Sequence, residues 1–147
     1  MNRKVEAIQN FDNGFNCSQA VLSVFCEELG LSKEVALKIS TGFGGGMRRG
    51  EVCGAVTGAI MAIGLKNGHF IEGDTDSKAK AYEITKQFEL KFEELNGSII
   101  CKQLLGYDIT IENELKMIKE KTLFDMICPK MIEDSINILE DLLLDKE

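Results

Sequence analysis

The chain has 147 residues, of which 44% are hydrophobic and 28% charged, with 14 glycines and a single proline. This composition is typical of a folded globular protein and excludes collagen-like, mucin-like and disordered classes. The formal net charge of -7 and the lack of a basic stripe argue against a nucleic-acid partner. We therefore expect one globular domain over residues 1–147.

Two features of the sequence bear on its compartment. The first residues lack the apolar core of a signal peptide, and the longest nearly apolar stretch, 52–65, spans 14 residues. A membrane-spanning helix needs about 20 apolar residues, so we expect no membrane span and a cytoplasmic location. In a reducing cytosol, cysteines are more often buried fillers, metal ligands or redox groups than permanent disulfides.

Apolar residues recur at intervals of three and four along most of the chain, which predicts helices. Weaker helical patterns cover 2–11, 17–29, 33–40, 51–66, 99–105 and 111–121. The clearest patterns cover 75–95, with a stripe that includes Tyr82 and Leu95, and 129–144, which begins at Pro129. No stretch alternates as a strand, so we expect an all-α, compact single-domain bundle of about six to eight helices.

The only break in composition is the glycine-rich segment 42–50, which predicts a loop. The helix after it carries Gly54, Gly58 and Ala62 at intervals of four. Small residues at this spacing let another backbone approach closely. We therefore expect this Gly/Ala-rich helix to be buried at the centre of the bundle.

Five cysteines lie at positions 17, 26, 53, 101 and 128, and no two are closer than nine residues. This spacing excludes thioredoxin-type, zinc-finger-doublet and haem-attachment motifs. Four of the five fall at predicted helix starts. These starts place Cys17 after the cap Asn16, Cys53 in the turn after Gly50, Cys101 after the cap Ser98, and Cys128 as the cap before Pro129.

A helix start offers unpaired N–H groups and the positive end of the helix dipole, which favour thiolate over thiol. A thiolate is both a nucleophile and a metal ligand. Arg48 and Arg49, just before Cys53, would act in the same direction if they folded back toward it. We expect the four cysteines to be brought toward one end or cleft of the bundle.

The cysteines also carry a family resemblance. Residues 53–58 read Cys-Gly-Ala-Val-Thr-Gly, with one cysteine upstream in 15–20 and two downstream. This ordered set resembles a redox-active protein family named for a cysteine, this glycine-containing element and two further cysteines. The resemblance covers almost the whole chain and implies that the functional set is Cys17, Cys53, Cys101 and Cys128. It also implies a transporter-linked partner, since family members are encoded near transporter genes.

Two redox interpretations stay open. In one, the same four cysteines are the ligands of a zinc ion or an iron-sulfur cluster, for which four thiolates are the usual complement. In the other, they form one or two dithiol pairs that cycle with disulfides and transfer electrons to a redox partner. Spacings of 36, 48 and 27 residues do not decide between them. The alternative from another class is a non-catalytic helical adaptor or small-molecule-binding module whose cysteines only pack.

The remaining candidates surround Cys53. We expect the glycine-rich segment to shape the site or hold a cofactor, and an arginine to balance its charge. The residues assigned to these roles are Gly44, Gly45, Gly46, Arg48, Arg49 and Gly54. We expect His69, the only histidine, to be exposed in a loop, since a helix separates it from Cys53. The acidic, amphipathic C-terminal helix is consistent with a homo-oligomer.

Overall fold

The structure is a computed structural model of the chain and describes residues 2–144. Within that range it contains eight α-helices and no strand, which confirms the all-α fold. The helices are α1 (Arg3–Asp12), α2 (Cys17–Ser23), α3 (Lys33–Ser40), α4 (Gly54–Asn67), α5 (Thr75–Asn96), α6 (Cys101–Leu105), α7 (Glu112–Glu120) and α8 (Leu123–Leu143).

Helix α4 lies at the centre and packs against α2, α5 and α8. Its residues Ala55, Ala59 and Ala62 are fully buried. Gly58 meets the backbone of α2 so closely that a Cβ built on it would lie 2.6 Å from the carbonyl oxygen of Ser18. The prediction of a buried Gly/Ala-rich helix that another backbone approaches is therefore confirmed.

The long helices α5 and α8 pack on each other and on α4. The predicted apolar side of α8 is buried. On α5, Phe88 and Phe92 are buried, but Tyr82 and Leu95 are 57% and 58% exposed, so their place in the predicted stripe was wrong. The apolar side of α8 packs inside this chain, so that face gives no support for the expected homo-oligomer.

Helix α8 begins at Leu123, whereas the sequence predicted a start at Pro129. Proline is favoured in a first turn because its missing N–H has no partner there. Inside a helix it leaves one carbonyl unbonded, yet here Leu123, Phe124 and Ile127 pack against a hydrophobic cluster and extend the helix through it. Cys128 is therefore an interior residue of α8, and the prediction that it caps a helix was wrong.

The buried apolar residues form two clusters. The larger is built from α1 to α5 and α8. The smaller consists of Cys101, Leu105, Ile109 and Ile118. Ile127 and Cys128 pack against both clusters, so this turn of α8 joins the two parts of the core.

The glycine-rich segment is a loop, as predicted, with a 3-10 turn at Thr41–Phe43. It continues as a left-handed turn in which Gly45, Gly46, Met47 and Arg48 have φ of 64°, 63°, 59° and 64°. Glycine adopts this conformation freely, whereas it costs each non-glycine residue about 1–2 kcal/mol of conformational free energy. Across residues 2–144, no helix combines the length and apolar character that crossing a membrane requires.

Candidate functional site

A cavity of about 320 Å³ brings together the four cysteines that the family resemblance singles out. Three of them are nearly buried, with Cys17, Cys53 and Cys101 exposed by 8%, 6% and 8%. Cys128 is partly exposed. The rest of the wall is mainly apolar and includes Phe11, Phe15, Leu104, Leu105, Phe124, Ile127 and Met131.

Cys17 is held by the start of α2, as the sequence predicted. The backbone N–H of Gln19 donates to Asn16 Oδ1 at 3.0 Å, and the N–H of Asn16 donates to Gln19 Oε1 at 2.9 Å. This capping box makes Cys17 the first residue of the helix. Asn16 also donates through Nδ2 to the carbonyl of Thr41 at 2.8 Å, which ties the helix start to the glycine-rich loop.

Cys53 and Cys101 are brought together by the backbone. The segments that precede α4 and α6 form an isolated antiparallel bridge. The N–H of Cys53 donates to the carbonyl of Ile99 at 2.7 Å, and the N–H of Cys101 donates to the carbonyl of Glu51 at 2.6 Å. Two hydrogen bonds therefore place these cysteines, which are distant in sequence, on neighbouring segments of the chain at the cavity.

The structure refines where these two helices begin. Cys53 is the N-cap of α4, which begins at Gly54, three residues after the predicted start at Glu51. The N-cap of α6 is Ile100, and Ser98 does not cap the helix. The hydroxyl of Ser98 instead accepts the N–H of Ile100 at 2.9 Å. Cys101 is the first residue of α6.

Cys17 and Cys128 line the same cavity, and each thiol affects the pKa of the other. Hydrogen bonding from the Cys17 thiol lowers the pKa of Cys128 below its ordinary value. The same hydrogen bond, together with burial, raises the pKa of Cys17 well above its ordinary value. Cys128 is therefore the more acidic thiol of the pair and the one with access to solvent.

Burial raises the pKa of Cys53 to about 12 and that of Cys101 to about 11. The backbone N–H groups of Ala55 and Val56 oppose this at Cys53 without forming a regular capping hydrogen bond. A helix start contributes about 0.3–1 kcal/mol, which is less than one pKa unit. The expectation that helix starts make these thiols acidic was therefore wrong, because desolvation is the larger effect.

Of the six other predicted site residues, three line the cavity and three do not. Gly45, Arg48 and Gly54 line the cavity. The remaining three do not: Gly44 packs against Asn16, Gly46 packs against the backbone of Glu51, and Arg49 is exposed. Arg48 Nη1 donates to the carbonyl of Gly44 at 3.3 Å, and its charge lowers the pKa of Cys101, opposing burial.

All five cysteines are free thiols, and no two lie at disulfide distance. Among residues 2–144, no three side chains of cysteine, histidine, aspartate or glutamate are grouped so that they could hold a metal ion. Cys26 is fully buried outside the cavity, and its Sγ donates to the carbonyl of Ser23 at 3.5 Å. His69 is exposed after α4, as predicted.

The sequence reasoning missed the aromatic and aliphatic wall of the cavity. Phe124, Ile127 and Met131 lie four residues before, one before and three after Cys128, which is the spacing of one helix face. That signal was present in the sequence. The helix start predicted at Pro129 concealed it, because it assigned Phe124 and Ile127 to a different element.

Comparison with known proteins gives one family. The sequence model of the family described as "Putative redox-active protein (C_GCAxxG_C_C)" matches residues 15–142. This range contains all four cysteines of the cavity and the element at 53–58. No curated protein and no solved structure gave a significant match.

Proposed function

The chain belongs to this redox-active family, and from that premise we propose that it transfers electrons by thiol-disulfide exchange at the cavity. Cys128 is the attacking thiol and Cys17 the resolving thiol. The observation that carries this proposal is that Cys17 and Cys128 line one cavity, where Cys128 is the most exposed of the four cysteines and the Cys17 thiol lowers its pKa. The thiolate is the reactive form of cysteine.

The reaction that we propose needs a disulfide as the oxidant. The Cys128 thiolate attacks one sulfur of that disulfide, the S–S bond breaks, and the first thiolate leaves and takes up a proton. Cys17 then loses its proton and attacks the Cys128 sulfur, which releases the second thiolate for protonation. The net change is two protein thiols oxidised to one disulfide and one external disulfide reduced to two thiols, with two electrons transferred.

This chemistry requires a modest movement. No two cysteines lie at disulfide distance, so the sulfurs of Cys17 and Cys128 must approach each other to form a bond. The open cavity beside them gives the side chains room. Cys53 and Cys101 form the second pair of the four, and their high pKa keeps them protonated and slower to react at neutral pH. A cytoplasmic location and a transporter-linked partner belong to the same proposal.

In a second candidate, the four cysteines that line the cavity bind zinc or an iron-sulfur cluster, which requires them to move together, because no three of them are grouped to hold a metal where they stand. The two candidates differ in what the purified protein carries. Protein prepared without oxygen is coloured and contains stoichiometric iron if it holds a cluster, and is colourless with stoichiometric zinc if it holds that ion. A dithiol protein contains neither and has rapidly reacting thiols.

A single-turnover assay tests the proposal. The reduced protein, freed of reductant under nitrogen, is mixed with 2-hydroxyethyl disulfide, and released 2-mercaptoethanol is counted. We expect two thiols per wild-type chain. Cys17→Ser should stop after one thiol, with the other half of the disulfide attached to Cys128. Cys128→Ser should lose the fast reaction, because the remaining cavity thiols have raised pKa values.

The matched control is Cys26→Ser, which removes a buried thiol outside the cavity and should leave the stoichiometry unchanged. Circular dichroism establishes that each variant is folded. Fast release from Cys128→Ser would contradict the assignment of the attacking thiol. Unreactive thiols in metal-free wild-type protein would favour the helical adaptor, and stoichiometric metal would favour the second candidate.

A further inference from the structure

Among the described residues that line the cavity, Arg48 is the only charged one. With the part of the chain that the structure describes, its guanidinium makes one hydrogen bond, from Nη1 to the carbonyl of Gly44 at 3.3 Å. None of the ion pairs between described residues includes Arg48. A guanidinium presents five N–H donors, so most of its donors face the cavity mouth or solvent without a protein acceptor.

The backbone at this arginine adopts an unfavourable conformation. Arg48 itself has φ of 64°, in the left-handed region that non-glycine residues avoid. Gly45 lies beneath the guanidinium, and a Cβ built on Gly45 would lie 2.6 Å from Arg48 Nη1. The turn therefore brings the arginine across the loop toward the cavity, and a glycine leaves room for it.

Two acidic residues lie close enough to influence the cavity thiols, and neither lines the cavity. Asp108 acts on Cys101, and its carboxylate accepts the N–H and hydroxyl of Thr110 at 2.8 Å and 2.6 Å. Asp125 acts on Cys128. Neither carboxylate forms an ion pair with Arg48, so the positive charge is left available to a ligand.

The cavity thus combines an apolar and aromatic wall, a reactive thiol pair and one unpaired guanidinium. Its volume of about 320 Å³ suits a small organic molecule and not a folded domain. Arg48 is exposed at the cavity. Arginine recognises carboxylates through two parallel hydrogen bonds.

We infer that the cavity takes a small organic disulfide that carries a carboxylate, with the carboxylate on Arg48 and the S–S bond beside Cys128. This inference rests on the proposed function and names its substrate class. The exchange reaction is the one already written, with this disulfide as the oxidant. Arg48 contacts the substrate and selects it by charge, and Cys128 performs the attack.

The first test compares two disulfides of similar size. 3,3'-Dithiodipropionate carries two carboxylates, and 2-hydroxyethyl disulfide carries none. We expect wild-type protein to react with the anionic disulfide about tenfold faster at low concentration, as a charged hydrogen-bonded contact implies. Arg48→Gln should lose this preference, so that the ratio of its rates with the two disulfides falls to about one. Arg49→Gln, the matched control beside it in the loop, should keep the preference.

The second test does not depend on redox chemistry. Suberate has the chain length and carboxylates of 3,3'-dithiodipropionate but no sulfur, and 1,8-octanediol is its neutral counterpart. Titration followed by NMR should show suberate binding to wild-type protein and to Arg49→Gln, with about tenfold weaker binding to Arg48→Gln. The diol should not distinguish the variants.

The outcomes separate this inference from the proposed function. Equal binding of suberate to wild-type protein and Arg48→Gln would overturn the inference even if both reduce disulfides. An equal loss of rate with both disulfides in Arg48→Gln would also overturn it, since the arginine would then act on the thiols. Suberate binding that depends on Arg48, in a protein that reduces no disulfide, would uphold the anionic site and refute the exchange reaction.

Discussion

The acidity of Cys128 comes from one neighbour and not from its position in a helix. It lies inside α8, one residue before Pro129, where the dipole of a helix start does not act. The thiol of Cys17 supplies the hydrogen bond that favours its thiolate. The three cavity cysteines that do lie at helix starts have raised pKa values. Burial is the largest cause at Cys53 and Cys101, and at Cys17 the hydrogen bonding with Cys128 comes first and burial second.

This origin can be tested by pH-dependent alkylation. In wild-type protein the rate of iodoacetamide reaction at Cys128 should rise with pH and level off below the pKa of an ordinary thiol. Cys17→Ala removes the donor, so the inflection should move to higher pH. Cys17→Ser keeps a hydroxyl donor and should restore part of the shift.

Peptide mapping by mass spectrometry follows Cys128 separately from the other thiols. Cys26→Ala serves as the control, since Cys26 hydrogen-bonds to its own helix end and not to the cavity pair. An unchanged inflection in Cys17→Ala would show that the hydrogen bond does not set the acidity of Cys128.

At the scale of elements, the cavity depends on how closely α2 approaches α4. Gly58 permits this approach, because any larger residue would meet the backbone of Ser18 and not a flexible side chain. The first turn of α2 carries Cys17, so the same contact fixes one wall of the site.

We expect Gly58→Ala to destabilise the protein by about 1–3 kcal/mol, the usual cost of overpacking. Gly64→Ala is the matched control in the same helix, since nothing lies within 4 Å of a Cβ at that position. This control should be neutral or up to about 1 kcal/mol more stable, because alanine favours helix. Urea denaturation followed by circular dichroism measures both. Similar stabilities for the two variants would contradict the close packing of α2 on α4.

The sequence predicted elements well where the signals were local. The capping box of Asn16 and Gln19 marked the start of α2, and Ser32 caps α3, whose predicted bounds agree with the structure. At α8 the local signals predicted the wrong start, because long-range packing of Leu123 and Phe124 decides whether the proline begins the helix or lies inside it. The misplaced start hid both the true position of Cys128 and the apolar wall beside it.

At the scale of the whole molecule, the site is assembled from sequence-distant segments. The family resemblance selected the four cysteines, but the bridge that pairs the chain before α4 with the chain before α6 left no alternating pattern in the sequence. The hydrogen bond between Cys17 and Cys128 likewise depends on the packing of α2 against α8. The sequence alone therefore could not predict which cysteines lie close together in the fold.

Disulfide mapping after oxidation tests the central claim most directly. The reduced wild-type protein is equilibrated with limiting 2-hydroxyethyl disulfide, remaining thiols are blocked, and the linked peptides are identified by mass spectrometry. We expect the first bond to join Cys17 to Cys128 and to leave Cys53 and Cys101 alkylated. A first bond between Cys53 and Cys101, or an even mixture of pairings, would contradict the assignment of the exchanging pair.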